Sequence, residues 1–225
     1  MNILTYISVL ILAYLIGSTP FGLLAVRLST GKDIREIGSG RTGTTNAMRA
    51  AGYPIGVLTL ILDIFKGASA VWLARWIAPG ITLLEIIAPV LAIAGHNYSI
   101  FLIALDQDGK VRLCGGAGGA PALGGAFGLW PPVVLILLPF GLLIFFGVGY
   151  ASLATMSVPL IAAIVFAIRV WLGASPWMYV LYCLLAEAFL MWALRPNIRR
   201  LLKGTERGVG WRARNVKEIN DFRNG

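Results

Sequence analysis

Charge is scarce in this chain, and so are the side chains that most often hold metals. One histidine and two cysteines occur in 225 residues, and charged residues make up 13%. Soluble domains carry about 25% charged residues, so a water-facing globular domain is excluded. Cys114 and Cys183 stand far apart, with no metal or redox spacing, and read as two unpaired thiols. No metal and no cofactor is therefore expected. No stretch interleaves basic and aromatic residues as a nucleic-acid module does, so the net charge of +9 points to membrane topology and anionic lipid, with no nucleic acid as partner. The first residues lack a basic segment, and their apolar run continues to Val26, which argues for a retained span over a cleaved signal.

What the chain has instead is long apolar blocks. Hydrophobic residues reach 58% and cluster in runs near the roughly 20 residues that span a bilayer. Candidate spans are 3–26, 55–78, 83–104, a short 117–130, 133–148, 152–170 and 176–194. Pro131-Pro132 marks a turn, since neither residue donates a helical hydrogen bond. The glycine-rich 114–129 is short for a span, but small residues let helices pack closely. Basic residues collect in 27–50 (Arg27, Lys32, Arg35, Arg41, Arg49), at Lys110 and Arg112, and after residue 194, whereas the other connections hold only Arg75 and Arg169. Basic loops stay cytoplasmic. The N-terminus is then outside, and the C-terminus and basic loops are inside. Parity between the 105–116 loop and the tail requires the short segment to cross as well. The expected fold is an all-α integral membrane protein, a bundle of seven transmembrane helices. Five spans plus re-entrant or interfacial segments are the alternative. Residues 1–194 form the bundle with its cytoplasmic site loops, and 195–225 form a basic cytoplasmic tail.

Polar chemistry gathers in a few places. Residues 38–49, GSGRTGTTNAMR, place three glycines among hydroxyls and an amide between two apolar runs. Glycine lets backbone N–H groups turn toward one point, and consecutive N–H groups cradle an anion. A guanidinium adds a two-pronged clamp for phosphate. The Gly-Lys-Ser/Thr order of a Walker loop is missing. A flexible linker with a polar cap is the plainer account of the same composition. Asp63 and Lys66, three apart in an apolar helix, share a face, and ionisable groups inside a span usually line a polar cavity. A structural ion pair is the alternative. His96 and Asn97 stand near the inner end of the third span, Ser152 starts a later span on the same side, and Asn197 follows the last one. A lone histidine is more often a bonded core residue than a catalyst, and a serine there is often only a helix cap. Ile198–Leu202 alternatively anchors to lipid headgroups.

In order along the chain, YLIGSTPFG, DIREIGSGRTGTTNAMRAAG, LILDIFKG, AGHNYSIFL, SLAT and NIRRLLKGTE resemble the bacterial acyl-phosphate:glycerol-3-phosphate acyltransferases, the PlsY family. The resemblance runs from Tyr14 to Glu206. It implies a seven-helix membrane enzyme of the bacterial plasma membrane. Such an enzyme moves a fatty acyl group from acyl phosphate to the sn-1 hydroxyl of glycerol 3-phosphate, giving lysophosphatidic acid and phosphate. Partners are the two substrates and membrane lipids, and the oligomeric state stays open. Matching positions assign catalysis to Ser39, Arg49, Lys66, His96 and Asn197. They assign substrate binding to Gly38, Gly40, Thr44, Thr45, Asn46, Asn97, Ser152 and Glu206. Arg41 stands where the family usually has Asn, Ala117 where it has a lysine, Leu194 where it has a histidine, and Gly149 where it has an arginine. A divergent paralogue that binds phospholipid without turnover, one with an altered substrate, or a transporter of phosphorylated metabolites are the alternatives. His96 is the only imidazole available as a base; a substrate phosphate oxygen is the other acceptor.

Overall fold

A computed structural model describes residues 2–105 and 108–213. Among the described residues it is a bundle of helices with one small antiparallel strand pair. Helix α1 (Ile3–Ser18) breaks at Thr19-Pro20 and resumes as α2 (Phe21–Thr30). A 3-10 turn (Ile34–Glu36) and α3 (Thr44–Ala51) hold the polar loop, and α4 (Tyr53–Ile77) is the long central helix. After α5 (Thr82–Asn97) come β1 (Ser99–Leu105) and β2 (Val111–Cys114). The short α6 (Gly119–Leu129) follows, then a 3-10 turn at Pro131–Val133, α7 (Val134–Leu143) with a π turn (Ile144–Val148), α8 (Ala151–Trp171), α9 (Met178–Ala193) and α10 (Arg195–Leu202).

Each of the seven expected segments contains a helix. Among the described residues, four helical segments are long and apolar enough to cross a bilayer: Ile3–Thr30, Tyr53–Ile77, Pro131–Val148 and Ala151–Trp171. A fifth follows if α9 and α10, bent by 69° at Leu194, count as one span. Helices α5 and α6, of 16 and 11 residues, reach about 24 and 16 Å at 1.5 Å per residue. One expected boundary moves. The third run was read as helical to Ala104, but the helix ends at Asn97 and residues 99–105 pair with 111–114. A short apolar run does not by itself distinguish strand from helix.

Packing explains why α6 is glycine-rich. A Cβ on Gly67 would strike the Pro121 carbonyl, and one on Gly124 would strike the Ile64 carbonyl, so α4 and α6 touch backbone to backbone. The main core joins α5, α6, α8 and α9 around Ile86, Ile93, Phe166, Tyr182 and Leu190. A second core of small residues joins α1, α4 and α5. Helix α7 instead leaves Leu135, Phe140 and Leu143 exposed, as a lipid-facing helix does.

Candidate active site

The polar loop is built around one buried amide. Asn46, in the first turn of α3 and 2% exposed, donates through Nδ2 to the carbonyls of Ile34 (3.1 Å), Ile37 (2.8 Å) and Arg41 (2.9 Å). Its Oδ1 accepts the Ser39 N–H at 3.1 Å. Asn46 therefore mimics a strand of backbone and fixes the loop. Gly38 lies in the left-handed region at φ 56°, and a Cβ there would overlap Asn46 Oδ1. It also leaves room for the Arg49 stem, whose Cδ would stand 3.5 Å from such a Cβ.

Backbone bonds join this loop to two other segments. The Thr42 N–H donates to Gly115 O (3.3 Å), and the Gly116 N–H donates to His96 O (2.8 Å). A Cβ on Gly116 would overlap His96 Nε2. The other ring nitrogen, Nδ1, lies 3.7 Å from Asp63 Oδ1. Both imidazole nitrogens thus face protein. Asp63, 1% exposed, pairs with Lys66 Nζ at 2.8 Å. Lys66 also donates to Thr19 O at 3.0 Å, a carbonyl freed by the break between α1 and α2. Its ammonium lies 5.6 Å from the Phe21 ring centre.

At the other wall, Glu206 gathers three donors. Ser152 Oγ (3.2 Å) and Asn197 Nδ2 (2.7 Å) donate to Oε1, and Arg200 Nε donates to Oε2 at 2.8 Å. This ties the segment after α10 onto the start of α8, so the first part of the tail packs against the bundle.

Between these walls lies a cavity of about 1380 Å³. Gly38, Ser39, Gly40, Thr44, Thr45, Asn46, Arg49, His96, Asn97, Ser152, Asn197 and Glu206 all line it. Of the sequence-assigned residues, Lys66 alone does not: Asp63 faces the cavity and Lys66 stands behind it. Arg41, Arg112, Arg200 and Arg207, none of them among the assigned site residues, also line the cavity. Of these, Arg200 and Arg207 had no signal beyond membership of the basic tail.

Several buried polar atoms here have no protein partner: Thr44 Oγ1, both amide atoms of Asn97, Arg41 Nη1 and Asn197 Oδ1. Buried polar groups are normally paired, so an unpaired set in one cavity marks a place for a polar ligand. Burial, and after it Arg200, lowers the pKa of Arg41; burial and then Arg207 lower that of Arg49. Both guanidiniums stay charged at neutral pH. Among the described residues no three His, Cys, Asp or Glu side chains converge to hold a metal ion. The converging groups are cations, amides and the α3 N-terminus, a set that suits an anion. The same cavity is also lined by the apolar side chains of Leu60, Leu123, Leu137, Leu142, Phe145 and Val158.

The family described as Glycerol-3-phosphate acyltransferase matches residues 7–204. A glycerol-3-phosphate acyltransferase of Rubrobacter xylanophilus is 37% identical over 207 residues, covering 92% of this chain and 96% of that protein. One from Thermus thermophilus is 37% identical over 210 residues, covering 91% and 95%. Among solved structures, PlsY, an integral membrane glycerol 3-phosphate acyltransferase in its glycerol 3-phosphate form, is similar with a TM-score of 0.76 at 30% identity, over 91% of this chain and 96% of that one. Its lysophosphatidic acid form gives 0.74 at 29%.

Proposed function

The chain belongs to the glycerol-3-phosphate acyltransferase family, and from that premise we propose that it transfers a fatty acyl group from acyl phosphate to the sn-1 hydroxyl of glycerol 3-phosphate. It is a multi-pass membrane acyltransferase, and its products on this reading are lysophosphatidic acid and phosphate. One observation carries the substrate assignment. A single cavity lined both by unpaired cationic and amide groups and by apolar side chains matches two phosphate heads and an acyl tail. The excess of basic residues in the loops that form the cavity supports a cytoplasmic site, with the N-terminus outside. The same parity supports seven crossings, α5 and α6 being the short ones.

Acyl phosphate is a mixed anhydride, already activated. The hydroxyl oxygen bonds to the carbonyl carbon, the carbon–oxygen bond to phosphate breaks, and the hydroxyl proton ends on the departing phosphate. The protein has to hold two anions side by side and aim the hydroxyl. Arg49 at the cavity rim, the α3 N-terminus with Thr44 and Thr45, and the Ser39 side chain bind phosphate; Asn97 and Asn197 add amide contacts. Such groups stabilise charge that shifts between oxygens in the transition state, and alignment itself removes much of the barrier. Asn46 and Glu206, with all their bonds directed inward to protein, hold the loops in place. Ser152 anchors Glu206. Lys66 acts through Asp63, and Asp63 in turn steadies His96. On this reading His96, packed between Asp63 and Gly116, orients the site, and a phosphate oxygen takes the proton.

The test is phosphate release by purified protein given palmitoyl phosphate and glycerol 3-phosphate together and separately. Release that needs both substrates is expected. Release without glycerol 3-phosphate, or none at all, rejects the reading. His96→Gln is expected to retain measurable turnover with an unshifted pH profile; abolished turnover in a folded variant would restore histidine as the base.

A further inference from the structure

Arg41 is one of several cavity cations that have no role in that scheme. Arg41 is held at three points: its carbonyl accepts from Asn46, the neighbouring Thr42 N–H donates to Gly115 O, and its own Nη2 donates to Ala193 O. Its Nη1 is buried and has no partner. The segments that flank it carry no charge of their own. Residues 115–119 are glycines and Ala117, and Leu194, next to Ala193, is apolar and 2% exposed. The Asn97 amide, 4% exposed and unpaired at both atoms, faces the same part of the cavity. A Cβ on Gly118 would lie 2.9 Å from both Asn97 Oδ1 and Leu190 Cδ1. Leu190 and Ala193 share one face of α9.

We propose that Arg41 is a substrate-binding residue, which holds a phosphate dianion through Nη1 in a subsite distinct from that of Arg49. The inference rests on the acyl-transfer reading, because that reaction places two phosphates in one cavity. The two guanidiniums are held differently, Arg41 by its bond to Ala193 O and Arg49 with its stem beside Gly38, and Glu206 is a charged neighbour of both. Two cationic side chains are therefore available for the two dianions. A guanidinium anchored by one nitrogen and open at the other is preorganised, since little side-chain freedom remains to be lost on binding. The dianion belongs either to glycerol 3-phosphate or to acyl phosphate, and the inorganic phosphate product has the same chemistry.

The experiment compares full-length wild type, Arg41→Gln and Arg41→Lys in lipid nanodiscs. It reads the KM of each substrate and the inhibition constant of inorganic phosphate. Arg41→Gln is expected to raise one KM about tenfold or more, the scale of a charge-assisted bond. Phosphate inhibition should weaken by a similar factor, while the other KM stays within about threefold. Arg41→Lys should recover part of the loss. The KM that moves identifies whose phosphate is held. Both KM values and the phosphate constant within about threefold of wild type overturn the proposal, even if kcat or melting temperature falls, because that pattern reports only the Ala193 bond. If Arg41→Gln does not fold, Arg41→Met carries the same readouts. If wild type releases no phosphate, the acyl-transfer reading fails by itself. Calorimetric binding of inorganic phosphate then decides the subsite, and equal affinity in wild type and Arg41→Gln overturns it.

Discussion

Two half-buried guanidiniums in this bundle are used in opposite ways. Arg75, near the end of α4 and outside the cavity lining, bonds to protein through all three of its nitrogens. Its Nε pairs with Glu85 at 2.8 Å, Nη1 donates to Gly128 O at 2.7 Å, and Nη2 donates to Leu129 O (3.1 Å) and Tyr179 Oη (3.0 Å). The Tyr179 hydroxyl itself donates to Glu85 at 3.4 Å. This closed knot joins α4, α5, α6 and α9. At the inner end, Arg41 has one nitrogen bonded and one empty-handed, beside unpaired Thr44, Asn97 and Asn197 atoms. The same side chain is a staple where its bonds are saturated and a binding group where they are not. The contrast also weighs against a transport path. The polar groups of the knot are bonded to protein, while those around the cavity include unpaired atoms.

The comparison breaks most visibly at Arg75. Arg75→Ala leaves the buried Glu85 with only the Tyr179 hydroxyl, a loss that solvent at the partly exposed guanidinium holds below the cost of about 3–5 kcal/mol for a fully buried pair. A large fall in melting temperature is expected, with turnover per folded molecule near wild type. A stable but inactive variant would erase the distinction between the two ends. Arg49→Ala should do the reverse: kcat/KM down about 10²–10³-fold, the loss seen when a transition-state donor is removed, with little change in thermal unfolding. Wild-type-like turnover would reject Arg49 as a clamp.

Asn46→Ala sharpens the inner end itself. It strips the bonds from three loop carbonyls and the Ser39 N–H, at about 1–3 kcal/mol for each group left buried and unpaired. Turnover should fall about tenfold as the loop loosens, and amide hydrogen exchange in residues 34–41 should rise. An unchanged exchange pattern would mean the loop holds its shape without the amide.

The smallest effect is expected at Asp33, whose carboxylate pairs with Arg35 at the surface. The hydrogen bond from Arg35 is the main cause that holds this carboxyl below its usual pKa. Its contribution is therefore present above the ordinary value near 3.9 and is lost only as pH falls through the lower folded value. Asp33→Asn should change stability by about 0.5 kcal/mol or less. The gap between the two melting curves should stay constant above about pH 5 and close in acid. A gap that opens between pH 6 and 8 would point to another titrating group.

Much of this organisation was legible in the sequence, and the misses have a common cause. Composition and run length identified the helices, because burying backbone in lipid leaves few options besides helix. The turn at Pro131-Pro132 and the tight packing of 119–129 followed from residue types. Residues 99–105 were misread as helix because an apolar run looks alike in either form until a pairing strand is in view. At the site, the motif residues were named together, but their depth was not. Lys66 was grouped with Arg49, whereas the bundle places it behind Asp63 and against the Thr19 carbonyl.

The sequence by itself determined that this is a membrane-embedded helical protein with a glycine-rich polar loop among its basic residues. Hydrophobic run length, glycine placement and basic residues are local properties, and each has a direct physical consequence. Only the tertiary structure decided which polar atoms are consumed by the fold and which are left for a ligand. Asn46, in the first turn of α3, and Asn97, at the end of α5, are the same side chain. One is saturated by backbone and the other is unpaired, because partners come from segments distant in the chain and only packing brings them within hydrogen-bond reach.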